Sequence, residues 1–290
     1  MRWNSPAIRT LIRLALEEDA ARRDITTSSL IPAGLKIEAE IKAKEGGVVC
    51  GLPLAEAFFK QLDSRIAFSP SVREGQQVNK GARLARIRGN ARPILSAERS
   101  ALNAFQHLSG IATYTRRQVQ RLHSRRTAIY DTRKTLPGWR ELQKYAVRCG
   151  GGKNHRMSLR DSVLIKDNHL KVCRSAGVDW MRSIKLLKKK HPSLAVEMEI
   201  QTSRDMNDAL KLAPDQVLLD NMNPPQLRAL VRNLKSRLPG VEIEVSGGVR
   251  TEQLRTLGRL GVDRISMGRL THSAPAFDCA LDITRVYHTR

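Results

Sequence analysis

Apolar and charged residues alternate along 35–50, LKIEAEIKAKEGGVVC, which predicts a strand with one wet face. The stretch 76–89, QQVNKGARLARIRG, carries the same period. Ahead of both, 5–18 (SPAIRTLIRLALEE) reads as a helix, with Ile8, Leu11, Ile12 and Ala15 on one face. Ser5 is placed to cap it, and Pro6 suits its first turn. The first hundred residues therefore predict a small α+β unit with an antiparallel sheet. A long helical region follows, SAERSALNAFQHLSGIATYTRRQVQRL from residue 96, with Ser109-Gly110 as the point where it would kink. Beyond it the pattern changes. Short aliphatic runs recur between helical stretches: 127–130 (TAIY), 162–165 (SVLI), 195–200 (AVEMEI), 216–219 (QVLL), 241–245 (VEIEV) and 264–267 (RISM). Strands alternating with helices predict βαβ units and a parallel sheet.

Polar residues collect where these runs end. DTRKT follows the first, Lys166-Asp167-Asn168 the second, and Glu199 lies near the end of the third. Asp220-Asn221, Ser246-Gly247-Gly248 and Gly268 follow the last three. Active sites of (β/α) barrels lie at the carboxyl ends of the strands, and open doubly wound sheets bind ligands there too. No G-x-G-x-x-G follows the first strand and no G-x-x-x-x-G-K-[ST] occurs, which lowers the weight of dinucleotide and P-loop readings. Glycine at both VSGGV and SMGRL is open to two readings. One is a generic turn; the other is a phosphate cradle in which backbone N–H groups approach an anion closely.

Charge sharpens the picture. Lys plus Arg number 51 against 28 Asp plus Glu, so the formal charge is +23, a field that draws polyanions. Residues 130–170 hold eleven Lys, Arg and His residues around Gly150-Gly151-Gly152, with four carboxylates among them. Singly, Arg133, Lys134 and Arg156 read as a solvated basic loop; together they suit a ligand with several negative charges. Lys166, after an apolar run, is expected to be partly buried and able to pair with Asp167 or Glu199. Asp220 with Asn221 could cap a turn, and KLLKKK at 185–190 reads as a wet helix face. The four cysteines form no C-x-x-C pair, so they read as reduced thiols and point to the cytoplasm. The N-terminus lacks an apolar signal-peptide core, and no run is long enough to span a bilayer.

Five stretches, DTRKTLPGWRELQKYAVRCGGGKNHR, LIKDNH, LLDNM, VSGGV and GVDRISMGRLTHS, resemble the quinolinate phosphoribosyltransferases, as do EEDAARRDITTSSLIP and AERSALNAFQHLSGIAT. The resemblance covers nearly the whole chain in the family's order. It implies an N-terminal α/β sandwich over 1–112, with an antiparallel sheet, then an incomplete, seven-stranded TIM-like α/β barrel over 113–272. A C-terminal segment, 273–290, would pack back on the N-terminal domain.

The resemblance also implies transfer of phosphoribosyl from phosphoribosyl pyrophosphate to quinolinate. Nicotinate mononucleotide, pyrophosphate and CO2 result, with Mg2+ as cofactor. It implies a homodimer or larger assembly with shared sites. By family likeness, Arg133, His155 and Arg156 would hold the quinolinate carboxylates, and Arg99 would reach in from the other subunit. Lys134 and Lys166 would lie near the carboxylates and diphosphate. Glu199 and Asp220 would meet the ribose hydroxyls and the metal. Ser246, Gly247, Gly248 and Gly268 would cradle the 5′-phosphate beside His272. Three departures stand out: Gln143 where many relatives carry Glu, with a barrel salt bridge at stake; Arg23 in place of the usual Gly; and a longer basic loop between Lys166 and Glu199. Two other readings stay open. One is a relative acting on another acid, such as a molybdenum-transport-associated homologue or a nicotinate-using enzyme. The other is a basic nucleic-acid-binding protein.

Overall fold

The first amphipathic stretch folds as α1 (Pro6–Glu18) in a computed structural model that describes residues 1–287. It buries Ile8, Ile12 and Leu16. Ser5 holds the N-cap position in extended backbone, yet its hydroxyl caps nothing; that oxygen is buried without a hydrogen-bond partner. The expected Ser5 side-chain cap is absent because only its carbonyl takes part, accepting the Arg9 N–H at 3.0 Å. At α2 (Ile25–Leu30), by contrast, Asp24 is a true cap: Thr27 N–H donates to it at 2.9 Å, and Ser96 Oγ donates to its other oxygen at 2.9 Å. Arg23, just before, is exposed.

The alternation at 35–43 becomes β1 (Lys36–Ala43), with Ile37, Ala39, Ile41 and Ala43 buried. Burying each isoleucine contributes about 2 kcal/mol. Next come β2 (Gly47–Val48), α3 (Leu52–Leu62), β3 (Ala67–Pro70), β4 (Gln77–Val78) and β5 (Arg83–Asn90). The helix α4 (Ala91–Leu122) follows, then β6 (Ala128–Tyr130), α5 (Arg140–Cys149) and β7 (Val163–Ile165). After α6 (Asp167–Ser175) and α7 (Trp180–Lys190) the chain alternates strictly: β8 (Val196–Ile200), α8 (Ser203–Leu212), β9 (Gln216–Asp220), α9 (Pro224–Arg237), β10 (Glu242–Ser246), α10 (Leu254–Gly258), β11 (Arg264–Ser266) and α11 (Arg269–His272). The last strand is β12 (Cys279–Tyr287).

Two compact units result. One holds 1–116, 135–151 and 270–290; the other holds 117–134 and 152–269. Residues 288–290 of the C-terminal segment lie outside the described residues. In the first unit, four strands lie in the order β12-β1-β5-β3, and both neighbours of β1 run antiparallel to it. The wet face carries ion pairs such as Arg83–Glu40 at 3.0 Å, which contribute little at the surface.

The kink expected at Ser109-Gly110 does not form: α4 runs through both residues as one helix. Ser109 Oγ accepts the Cys50 N–H at 2.9 Å and donates to the Cys50 carbonyl at 3.0 Å. Gly110 is there for close approach, since a Cβ would fall on the Pro275 carbonyl oxygen and near Ala276 Cα. Alanine gains about 1 kcal/mol over glycine inside a helix. Extra atoms forced into a packed interior cost about 1–3 kcal/mol, here at the upper end because backbone is in the way. Gly110→Ala is thus expected to destabilise by about 2 kcal/mol net, read as a lower urea midpoint at unchanged slope.

In the second unit all six strands are parallel, in the order β6-β11-β10-β9-β8-β7. This order decides between the two parallel architectures. A doubly wound sheet reverses its order midway. Here the order climbs without reversal from β7 to β11 and then returns to β6, as it does around a barrel. The cylinder is open between β6 and β7. Six strands are present among the described residues rather than the expected seven, and the place beside β6 is taken by a single parallel bridge, Tyr130↔Lys153. The basic stretch before β8 is not a loop: it is α6 and α7, and α7 buries no residue. Among the described residues, no helix is long and apolar enough to cross a membrane.

Candidate active site

Strand register sets out the site. In parallel pairs, residues opposite each other share a face, as do positions two apart along a strand. Glu244 lies opposite Leu218, Ser246 opposite Asp220, and Glu199 opposite Leu218. Glu197, Glu199, Asp220, Glu244 and Ser246 therefore line one face of the sheet, toward the carboxyl ends of β8, β9 and β10. Glu197, Glu199 and Glu244 are almost fully buried, and Asp220 is half-buried.

Cations meet this acidic face. Lys166, which follows β7, places its Nζ 3.3 Å from Glu199 Oε2. Its side chain is 48% exposed rather than partly buried as expected, because α6 begins at the next residue and turns the chain outward. Glu199 Oε1 accepts Gln201 Nε2 at 2.5 Å. Asp220 takes Asn221 Nδ2 at 3.1 Å, and the Asn221 N–H donates to the Ser246 carbonyl at 3.2 Å.

His155 is placed by Asp131, which directly follows β6 and is fully buried. Asp131 accepts the His155 N–H at 2.9 Å and Asn154 Nδ2 at 2.5 Å, fixing 153–155 against the strand. His155 Nε2 then lies 3.3 Å from Glu197 Oε2 and 3.5 Å from Glu244 Oε2. Burial works against the imidazolium, but hydrogen bonding and charge from Glu197 and Glu244 outweigh it and raise His155 to about 9. The Arg156 N–H, 2.8 Å from Nδ1, competes for the lone pair that the second proton needs. One backbone hydrogen bond contributes about 1 kcal/mol, whereas a bare buried carboxylate costs several, so the imidazolium prevails. Arg156 Nη1 donates to the Ser162 carbonyl at 3.0 Å. Burial, and next the neighbouring Arg133 guanidinium, hold Arg156 below the usual arginine range; Glu197 and Asp161 pull the other way. His155 and Lys166 thus meet the acids of one sheet face, with Arg156 near Glu197 and Arg133 beside Arg156. Lys134, one residue on from Arg133, is exposed, and its N–H donates to Thr132 Oγ1 at 3.0 Å.

The glycines after β10 sit in a tight turn. Gly247 and Gly248 take φ of +84° and +57°, and a Cβ on Gly247 would meet Asn221 N and Oδ1 at 2.5 Å. Gly268 precedes α11, which is four residues long. Arg99 is exposed on α4 and His272 is exposed at the end of α11, both in the first unit. Gln143 is also in the first unit. Buried on α5, it accepts the Leu136 N–H at 3.0 Å, donates to the Thr271 carbonyl at 3.2 Å and lies 2.8 Å from His107 Nε2.

Asp131, Glu197 and Glu244 were not among the residues singled out from sequence. The signal for Glu197 was present: Glu-Met-Glu puts two carboxylates on one face of a strand. A hollow of about 270 Å³, partly open to solvent, lies elsewhere, lined by residues of the first unit that include Arg13, Leu16, Ala20, Arg22 and Gln61.

A parallel, open-sided barrel with basic and acidic side chains at its carboxyl end defines an enzyme class that handles anions. The match to known proteins is specific. Residues 24–109 match the quinolinate phosphoribosyl transferase N-terminal domain, and residues 111–282 the C-terminal domain. Over 292 aligned residues the chain is 39% identical to the chloroplastic carboxylating nicotinate-nucleotide pyrophosphorylase of Oryza sativa subsp. japonica, covering 95% of this chain and 77% of that one. It is 38% identical to the carboxylating nicotinate-nucleotide pyrophosphorylase of Mycobacterium leprae, with 96% and 97% covered. The solved nicotinate-nucleotide pyrophosphorylase of Francisella tularensis superposes with a TM-score of 0.86 at 35% identity, with 96% of each chain covered. The chain belongs to the quinolinate phosphoribosyltransferase family.

Proposed function

We propose that this chain transfers the phosphoribosyl group of phosphoribosyl pyrophosphate to the ring nitrogen of quinolinate and releases CO2. The products are nicotinate mononucleotide and pyrophosphate, feeding NAD synthesis. The carrying observation is the convergence of Arg133, His155, Arg156 and Lys166 on one end of the parallel sheet. Both reactants are polyanions, so bringing them together costs Coulomb energy that fixed cations offset. Arg133 and Arg156 present planar guanidinium groups suited to carboxylates, each capable of two parallel hydrogen bonds. Lys134 and Lys166 face the diphosphate side. Ser246, Gly247, Gly248 and Gly268 receive the 5′-phosphate, with His272 near it. Arg99 enters from a second copy in a homodimer or larger assembly. The cytoplasm is the proposed setting.

The donor set also suits a divalent cation. Glu199 Oε2 is buried and accepts no hydrogen bond, and Asp220 lies on the same sheet face. Hard oxygen ligands of this kind fit Mg2+. Held by Glu199 and Asp220, Mg2+ would supply positive charge against the diphosphate. In the transfer, the bond from sugar C1 to the diphosphate oxygen breaks with its electron pair going to diphosphate. Lys134 stabilises that departing charge. The pyridine nitrogen lone pair forms the new bond to C1, and the ring becomes cationic. The bond to the adjacent carboxylate then breaks, leaving its electron pair on the ring carbon beside the positive nitrogen, where a proton replaces CO2. Arg133 and Arg156 orient the ring throughout. No covalent enzyme nucleophile takes part.

Product analysis tests this reading. With Mg2+, quinolinate and phosphoribosyl pyrophosphate, the chain is expected to release pyrophosphate and CO2 in equal amounts, and little product when nicotinate replaces quinolinate. Equal turnover of nicotinate would shift the reading to a relative with another acid. Inactivity together with steeply salt-dependent oligonucleotide binding would favour the nucleic-acid reading.

A further inference from the structure

A second cluster of reactive side chains lies in the first unit and takes no part in the proposed chemistry. Cys50 follows β2, Glu74 lies in the turn before β4, and Cys149 is the last residue of α5. One ligand atom from each, the two Sγ atoms and a carboxylate oxygen, all lie within 4.8 Å of one another. A tetrahedral zinc site with 2.3 Å metal–sulfur bonds sets its sulfurs about 3.8 Å apart, so the spacing is within reach of coordination. We propose that Cys50, Glu74 and Cys149 form a binding site for a thiophilic divalent cation of the zinc class, with water completing the coordination.

Rigid backbone holds each ligand. The Cys50 N–H and carbonyl are both clamped by Ser109 Oγ. Val49 N–H donates to the Gln76 carbonyl at 3.0 Å, and Gly75 N–H to the Val49 carbonyl at 2.8 Å, so the Cys50 and Glu74 segments are tied together. The N–H groups of Gly51 and Leu52, at the start of α3, donate to the Glu74 carboxylate at 2.8–3.0 Å. Such outer hydrogen bonds orient a ligating carboxylate and leave lone pairs for a metal. Gly150 and Gly151 close α5 right after Cys149 and fix where it ends.

The charges also fit. Cys50 is fully buried, and burial together with the nearby Cys149 keeps its thiol protonated well above the usual range. Cys149 is shifted the other way, chiefly by the hydrogen bond from Cys50, against the effect of burial. A dication replaces both thiol protons. Two thiolates, one carboxylate and one dication then leave a single negative charge. Thiolates select zinc over the magnesium class, so this site and the carboxylate pair at Glu199 and Asp220 take different ions. Cys173 and Cys279 have no such partners within the clusters found among the described residues.

The test uses the full chain, reduced, stripped with chelator and then given Co2+ or Zn2+ alone. One metal per chain and a thiolate-to-cobalt charge-transfer band are expected. Cys149→Ser and Cys50→Ser should weaken zinc by more than about 100-fold, beyond the 10- to 100-fold that loss of an outer ligand partner costs. Cys173→Ser should leave it unchanged. If a serine variant folds poorly, the cobalt band of the unsubstituted chain decides by itself. No band, equal affinity in the serine variants, or a chain that binds no zinc and instead forms a Cys50–Cys149 disulfide in air would each overturn the site.

Discussion

Arg133→Ala is expected to lower kcat/KM for quinolinate by about three orders of magnitude, or about 4 kcal/mol of transition-state stabilisation. The size follows from what is left behind. Removing one partner of a buried charged contact costs about 2–5 kcal/mol, because the other charge stays desolvated and unpaired. On the proposed function that partner is a substrate carboxylate, and Arg156 is not free to replace the missing guanidinium while burial and its own bond to the Ser162 carbonyl hold it in place. Arg133→Lys should recover little, since an ammonium is a point charge and cannot make two parallel bonds to a carboxylate. The contrast with a solvated basic surface is sharp. Arg133 is one of 51 basic residues, and losing one from a diffuse field changes little. Arg125→Ala, at an exposed position, is the matching control. Steady-state kinetics in both substrates reads the outcome; near-normal turnover by the Arg133 variant removes the proposed role and weakens the whole assignment of the site.

Much of this was legible along the chain, for reasons that differ by level. The run at 35–43 alternates strictly because one face of β1 is buried and the other meets water, so the strand declared itself. The six later runs were found for another reason: parallel strands covered on both faces are apolar stretches between helices. What no single run states is register. Glu197 and Glu244 belong to different strands, and only the alignment of β8, β9 and β10 shows that they share a face and meet His155. The same limit explains Asp131, whose role depends on a segment more than twenty residues away folding back beside β6. Local geometry misled in a smaller way. Lys166 follows buried residues, but the helix that starts at Asp167 lifts its side chain toward solvent. Ser109-Gly110 suggested a kink because weak helix formers were judged by propensity; packing against Cys50 and Pro275 explains both residues better.

Removing the His155 side chain should cost more stability than any surface change, and the loss should depend on pH. Glu197 and Glu244 are about 1% exposed, and the imidazolium lies 3.3 and 3.5 Å from them. Taking away the ring between two buried carboxylates removes the cation that pairs with both, which costs about 3–5 kcal/mol. The sign with pH follows from the raised value. His155 goes from 6.5 when unfolded to about 9 when folded, so the folded state holds the proton more tightly. Its contribution, about 3 kcal/mol by linkage, is fully present below pH 6.5 and is lost as pH rises through about 9. Urea unfolding between these limits should show the native chain losing stability with rising pH, and His155→Ala should lack that slope. A second substitution separates charge from packing. Adding Glu244→Gln to His155→Ala removes one of the stranded charges, so the double variant should be more stable than the single one. If cavity formation were the whole cost, the glutamine would restore nothing, and the barrel interior would be held by shape rather than by this pairing of one cation with two acids.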